Sequence, residues 1–371
     1  MSNEVLQALL DRARAAQAAY AVFDQAQVDA IVRAMAKVVY DNAEELAKIA
    51  VEETRMGVYA DKVAKNKGKS KVIWNDLKDK KSVGILRHLE AEGLVEVAKP
   101  MGVIGSVAPT TNPTVTAMSN AMFALKGGNA IIIAPHPRAK NVSRITVEMM
   151  NAAIKPLGAP DHLIQIIDEP SIELTNQLMQ AVDVVIATGG GAMVKAAYSS
   201  GKPAYGVGPG NVQCLIDRDV DYAEAVAKII TGRCFDNGII CSGEQSVIAP
   251  AEDLDQILTL FKDQGGWVAE TEEDKAKLRA TIFEAGMTAK DVVGQSVADI
   301  ARLADLPIPE GTRVILAKAD GPGKADALSK EKMCPVLAVY GYQTFDEALA
   351  IAQTNLELEG KGHSAALHSD N

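Results

Sequence analysis

The chain of 371 residues is long enough for two domains, each with its own core. Its 48% apolar and 23% charged residues are those of an ordinary globular protein, and a formal charge of −10 excludes nucleic acid as a default partner, because no basic surplus offsets the phosphates. Four cysteines, at positions 214, 234, 241 and 334, form no CxxC pair and no metal-ligand spacing, so the sequence predicts no metal site and a reduced, cytoplasmic setting.

The chain opens without a basic segment followed by an apolar one, so no signal peptide is read there. To about residue 55 the pattern is helical. Val28, Ile31, Val32, Met35, Val38 and Val39 recur at i, i+3, i+4 spacing, and Asn42-Ala-Glu-Glu reads as a cap that opens the next helix. Residues 58–92 are rich in lysine but peppered with acids, and read as a solvated helical face rather than a basic binding patch.

From about residue 95 strands and helices alternate. Gly102–Ala108, Ala130–Ala134, His162–Ile167 and Val182–Ala187 read as strands. Thr114–Leu125 and about Asn141–Ile154 read as helices, with further helices around the last strand. Even the longest apolar run is far too short to span a bilayer, so a soluble protein with no membrane partner is expected. After residue 212 the alternation resumes with strands at Asn211–Ile216, Gln245–Ala249, Arg313–Ala319 and Val336–Tyr342. Helices are read at Tyr222–Thr231, Leu254–Lys262 and Thr344–Thr354. The fold class is α/β, with parallel sheets covered by helices and ligands at the carboxyl ends of the strands. The predicted domains are 1–235 and 236–371, a division that sets Cys241 at an interdomain cleft.

Cys241 stands in Phe235-Asp-Asn-Gly-Ile-Ile-Cys241-Ser-Gly, between a glycine turn and a strand. A thiol there can be reached from one side while its own N–H donates, as a nucleophile attacking a carbonyl requires. The competing reading is a small buried hydrophobe. Val184–Lys195 is a strand, a triple-glycine turn and a helix, which suits a phosphate at the helix N-terminus but lacks the GxGxxG spacing. Pro109-Thr-Thr-Asn112-Pro-Thr follows a strand end. Asn112 there is either a donor to an oxyanion or a helix cap, and taken alone the cap is the stronger reading. His136, Arg138 and Lys140 crowd a second strand-end loop, where cations suit a phosphate or adenosine group. Tyr205–Asn211 reads as a glycine-rich loop without a carboxylate, and His363 lies between glycines near the end of the chain.

Taken in order, these segments resemble the aldehyde dehydrogenase superfamily, and within it the coenzyme A-acylating branch, including the aldehyde dehydrogenase half of bifunctional alcohol/aldehyde dehydrogenases. The residues that carry the resemblance are Pro109-Thr-Thr-Asn-Pro, Ala134-Pro-His-Pro-Arg-Ala-Lys140, Ala187-Thr-Gly-Gly, Met193–Pro203, Gly206–Asn211, Phe235–Cys241 and Glu331-Lys-Met-Cys-Pro-Val. The resemblance implies a Rossmann-like cofactor domain and a second α/β catalytic domain. It implies Cys241 as nucleophile, Asn112 as oxyanion donor and His363 as a catalytic assistant. It further implies that Pro109, Thr110, Thr111, Asn112, Pro113, Thr114, His136, Arg138, Thr188, Gly189, Gly190 and Gly208 line a nicotinamide cofactor, whose ribose Glu331 would hold. NAD is expected, with NADP as the alternative and coenzyme A as co-substrate.

Members that hydrolyse their acyl-enzyme carry a glutamate at the position of Gly206. Its absence here implies release by a thiol, and so a reversible oxidation of a small aldehyde to acyl-CoA. Acetaldehyde is the default substrate, with succinate semialdehyde or sulfoacetaldehyde as polar options. The alternatives are a hydrolytic enzyme and a non-catalytic assembly subunit of the same fold. Relatives continue well past Asn371, so the resemblance implies an incomplete catalytic domain and a homo-oligomer in the full-length form.

Overall fold

The computed structural model describes residues 2–371, with side chains from Glu4 onward. They form two compact units, one running to Arg55 and again over Tyr59–Gly208, the other comprising Met56–Val58 and Pro209–Asn371. No helix among the described residues is long and apolar enough to cross a membrane.

The first unit opens with α1 (Ser2–Tyr20), α2 (Gln25–Asp41), α3 (Ala43–Thr54) and α4 (Tyr59–Leu77). The apolar stripe read from the sequence is the buried face of α2, where Val28, Ile31, Val32, Met35 and Val39 are all buried. Asn42 precedes α3 but makes no side-chain cap. Its amide donates instead to the Val38 carbonyl at the end of α2, 2.8 Å away.

The lysine-rich stretch departs from its expected solvated character. Lys62, Lys65, Asn66 and Ser70 are buried at i, i+3, i+4 and i+8 on α4, a polar stripe at helical spacing. Burial is tolerated because their polar ends find partners, such as the Ala43 carbonyl for Asn66 at 3.2 Å. Past Leu77 the chain leaves the helix, and β1 (Gly84–Leu89) and β2 (Leu94–Ala98) pair as an antiparallel hairpin.

Strands and helices then alternate: β3 (Val103–Val107), α5 (Pro113–Lys126), β4 (Ala130–Ala134), α6 (Lys140–Ile154), β5 (Ile164–Ile166), α7 (Ile172–Ala181), β6 (Val184–Thr188), α8 (Gly191–Tyr198) and β7 (Ala204–Val207). The five strands β3 to β7 are parallel and ordered β5-β4-β3-β6-β7. Ala130–Ala134 is buried at every position, as a strand covered on both faces must be. Strand order reverses at β3. The loops leaving β3 and β6 therefore emerge side by side at the carboxyl ends, the switch point where open parallel sheets bind ligands. Tyr205-Gly-Val, expected in a glycine loop, is instead part of the edge strand β7 hydrogen-bonded to β6.

The second unit contains β8 (Val212–Ile216), α9 (Tyr222–Cys234), β9 (Glu244–Pro250), α10 (Leu254–Asp263), β10 (Gly266–Ala269), α11 (Glu272–Ile282), the short pair β11 (Phe283–Glu284) and β12 (Met287–Thr288), α12 (Val297–Ala304), β13 (Val314–Lys318), β14 (Val336–Tyr342), α13 (Phe345–Leu358) and β15 (Ala365–His368). Its main sheet is six-stranded and parallel, ordered β10-β13-β14-β9-β8-β15. Alternate strand residues feed two cores: Leu215, Ile248, Ile315 and Val336 enter one, and Cys214, Val247, Val314 and Leu337 the other. The division expected near residue 235 falls earlier in the structure. Val212–Ile216 is hydrogen-bonded between β9 and β15, so the stretch from Pro209 belongs to the second sheet.

Candidate active site

In the first unit the loop leaving β3 carries Pro109, Thr110, Thr111 and Asn112, and Pro113 and Thr114 begin α5. Asn112 occupies the N-cap position, yet its side chain makes no cap bond. The Asn112 Oδ1 accepts a hydrogen bond from Lys65 Nζ at 2.6 Å instead, and the Thr111 carbonyl accepts from Lys62 Nζ at 3.5 Å. The cap reading of Asn112 therefore fails, and its amide nitrogen is left to bond only Thr111 Oγ1, at 3.5 Å, among the described residues. Neither lysine was singled out in the sequence. Their signal was the polar stripe at helical spacing, masked by the acids between.

The loop leaving β6 runs through Thr188, Gly189 and Gly190 into α8. Gly190 is the N-cap of α8 and has no side chain with which to cap it. Among the described residues, a Cβ would meet nothing within 4 Å at Gly190 or Gly191, and only Met193 at 3.5 Å from Gly189. Backbone that open, at a switch point and a helix N-terminus, fits the phosphates of a dinucleotide. Gly208, just past β7, is similarly open, with only Val194 at 3.9 Å.

In the loop leaving β4 the basic side chains make local contacts. His136 is exposed and its Nδ1 accepts the Arg138 N–H at 3.1 Å, capping a short turn. Lys140 pairs with Glu169 at 2.7 Å, and Arg138 reaches the Thr54 carbonyl at 3.4 Å. The N-terminus of α6 is taken by a carboxylate from α3: Glu53 accepts from Asn141 N at 2.8 Å and from Val142 N at 2.7 Å. Glu53 is 88 residues from Asn141 in sequence, too far to be read as belonging to this loop.

In the second unit the strand order assembles the remaining candidates. Gly210 enters β8, Cys241 enters β9, Glu331 enters β14 and His363 enters β15, and these four strands are neighbours in one parallel sheet. All four residues thus stand at its amino-terminal edge. Gly210 is packed so tightly on the cysteine that a Cβ would lie 2.0 Å from the Cys241 carbonyl oxygen, which only glycine permits. Its N–H donates to Glu331 Oε1 at 3.0 Å, and burial pushes the Glu331 carboxyl up from its ordinary range. Glu331 N in turn donates to Glu359 Oε2 at 3.0 Å. His363 Nδ1 lies 2.9 Å from Ser364 Oγ, in the turn that packs Gly360 against Asn211.

Cys241 is exposed, whereas Cys214 and Cys334 are fully buried. Burial pushes the Cys334 thiol up to about 11 and raises Cys214 further still, so neither is a ready thiolate. The approach to Cys241 is built from left-handed backbone: Asp236, Asn237 and Gly238 have φ of 53°, 51° and 75°. Arg233 fastens this turn. It is fully buried and donates to the carbonyls of Cys334 (2.8 Å), Glu244 (2.9 Å) and Gly238 (3.1 Å). With its donors engaged by backbone carbonyls, Arg233 serves the loop and not a bound anion. Asp236 accepts from Val58 N at 2.8 Å, and Asn237 donates to the Gly294 carbonyl at 3.0 Å.

Residues 1–269 match the model of the Aldehyde dehydrogenase family. The chain is 56% identical over 372 residues to the succinate-semialdehyde dehydrogenase (acetylating) of Clostridium kluyveri, with all of this chain matched to 82% of that protein. It is 41% identical over 367 residues to the bifunctional aldehyde-alcohol dehydrogenase AdhE of Escherichia coli K12, with 98% of this chain matched to 41% of that one. Among solved structures, an acetylating aldehyde dehydrogenase from Geobacillus thermoglucosidasius superposes with a TM-score of 0.97 at 38% identity, over 100% of this chain and 82% of that chain.

Proposed function

Because the chain belongs to the aldehyde dehydrogenase family, in its coenzyme A-acylating branch, we propose that it oxidises a small anionic aldehyde, succinate semialdehyde first, to its coenzyme A thioester. The observation that carries the chemistry is Cys241, the exposed thiol at the sheet edge where Gly210 and Glu331 meet. The 56% identity to an enzyme named for succinate semialdehyde supports the substrate over acetaldehyde.

In this reading the Cys241 sulfur, as thiolate, adds to the aldehyde carbon, and the carbonyl oxygen becomes an oxyanion. The Cys241 N–H and the Asn112 amide supply the donors that hold it. A bound nicotinamide dinucleotide would supply the acceptor for the hydride that the former aldehyde carbon gives up. Thr188, Gly189 and Gly190, with the loop from Pro109 to Thr114, would hold it, with His136, Arg138 and Gly208 beside them and Glu331 on a ribose hydroxyl. What remains on Cys241 is a thioester. The thiolate of coenzyme A attacks its carbonyl, the Cys241 thiolate leaves, and acyl-CoA departs. One thioester is exchanged for another, so the sequence runs in either direction. His363 is assigned to assist this exchange.

Release by a thiol rather than water is supported by the segment from Tyr205 to Asn211, which has no carboxylate to activate water. At Gly206 a Cβ would lie 2.7 Å from Val194 Cγ1 and 2.9 Å from Tyr198, so a general base there would first have to displace both side chains. NAD is the dinucleotide of this reading, supported by the Glu53 carboxylate at the end of β4, where a 2′-phosphate would meet negative charge. Cytoplasmic location belongs to the same proposal, supported by four thiols in a chain without a disulfide framework. So does a homo-oligomer, supported by the β1–β2 hairpin with Ile85, Leu94, Val95 and Val97 exposed.

The test is NADH formation from succinate semialdehyde and from acetaldehyde, with and without coenzyme A, beside Cys241→Ala. Turnover that needs both coenzyme A and Cys241, with the anionic aldehyde preferred, is the expected result. Turnover without coenzyme A would defeat the acylating mechanism, and a preference for acetaldehyde would defeat the substrate assignment alone.

A further inference from the structure

We propose that Lys65 is a positioning residue that aims the Asn112 amide at the oxyanion, an inference that rests on the donor role given to Asn112 above. The Lys65 Nζ is 2.6 Å from Asn112 Oδ1 and both belong to the first unit. Lys65 is 7% exposed, so its ammonium is held in a poorly solvated setting where such a bond is strong. An ammonium carries donors only. The atom of the amide that faces it must therefore be the oxygen, and the N–H₂ must face the other way. One bond thus removes the ambiguity of a freely flipping amide.

The same bond draws electron density toward Oδ1, which makes the two N–H groups better donors. Lys62, one turn earlier on α4, donates to the preceding carbonyl of Thr111 at 3.5 Å and steadies the backbone from which the amide springs. The Asn112 side chain makes no cap bond to α5, so its amide oxygen is committed to the lysine. A merely structural lysine would need none of this aim. The bond would then be one more anchor for a loop, and its loss would be felt in folding.

Catalysis separates the two cases. In the intact protein Lys65→Met should lower kcat for aldehyde oxidation on the order of tenfold, while KM for NAD and for coenzyme A stays within about twofold. Asn112→Ala should lower kcat on the order of 100-fold. The double variant should be no slower than Asn112→Ala, because an absent amide cannot be misaimed. Lys65→Gln keeps a donor on a side chain one atom shorter and adds an acceptor, and should fall between wild type and Lys65→Met. Should Lys65→Met fail to fold, the cycle is run with Lys65→Gln. Losses that multiply in the double variant, or a Lys65 variant with wild-type kcat beside a crippled Asn112→Ala, would overturn the positioning role. A fully active Asn112→Ala would instead sink the oxyanion reading, and the role of Lys65 with it.

Discussion

The two sheets present their candidate groups at opposite ends of their strands. In the first, Asn112 and Thr188–Gly190 leave β3 and β6 at the carboxyl ends. In the second, Gly210, Cys241, Glu331 and His363 enter β8, β9, β14 and β15 at the amino ends. The difference is physical. A loop that leaves a strand runs into a helix whose first N–H groups, with glycine beside them, form a site from backbone alone. A segment that enters a strand has no such helix ahead of it and must be fixed by buried polar groups. The second unit supplies them: Arg233 under the cysteine turn, and a network in which Asn211, Gln213, Ser246 and Asn355 bond one another, with Gln213 Oε1 accepting from Ser246 Oγ at 2.7 Å and from Asn355 Nδ2 at 2.8 Å. Each group has its partners, which is the condition for such a network to stabilise.

Two arginines give the sharpest test of this contrast. Arg233 is buried and donates to three carbonyls of the second unit, whereas Arg138 is exposed on a loop of the first. Arg233→Met should cost roughly 3–5 kcal/mol of stability, because three buried carbonyls lose a charged donor. Arg138→Met should stay within about 0.5 kcal/mol. Denaturant titrations of both would decide the matter, and equal losses would dissolve the contrast. Gly238→Ala is the next largest effect expected. The residue must be left-handed at φ 75°, and a Cβ would lie 2.5 Å from Arg233 Nη2 and 2.7 Å from the Cys334 carbonyl carbon. Backbone strain plus the displaced guanidinium should cost roughly 2–3 kcal/mol and slow turnover together. A fully stable variant that still lost activity would show that the turn matters for aim and not for folding.

Much of this was legible because parallel strands are written as short apolar runs. Val103–Val107, Ala130–Ala134 and Val336–Tyr342 stand where the sequence put them, as do the loops after β3 and β6. The edge strands β7 and β10 and the hairpin β1–β2 were not legible, since exposed or half-exposed strands have no continuous apolar run to betray them. Sidedness was missed in the second unit. A rule about carboxyl ends says nothing of Cys241, whose place follows from strand order, and strand order is a long-range fact. Lys65, Glu53 and Arg233 were hidden for a related reason. A lone charged residue reads as solvated until the partner that buries it, 47 residues away for Lys65 and 101 for Arg233, is known.

The smallest effect expected lies beside the nucleophile, where the polar satisfaction of the second unit has a gap. Glu244 begins β9, and its Oε2 is buried against Gly232 of α9 without a hydrogen-bond partner among the described residues. Burial raises its carboxyl above the ordinary range, although Arg233 and a backbone N–H pull the other way. A group raised in the folded state contributes its full share of stability at acid pH, where both states are protonated. That share is lost as pH rises through the folded value, because the unfolded chain gives up its proton sooner. Glu244→Gln holds the side chain neutral at every pH. It should therefore match wild type near pH 4 and show a higher denaturation midpoint at pH 8, which paired urea titrations at the two values would measure. If the two proteins kept the same difference at both pH values, the carboxylate would be well served in the folded state, and the gap beside Cys241 would not be an energetic one.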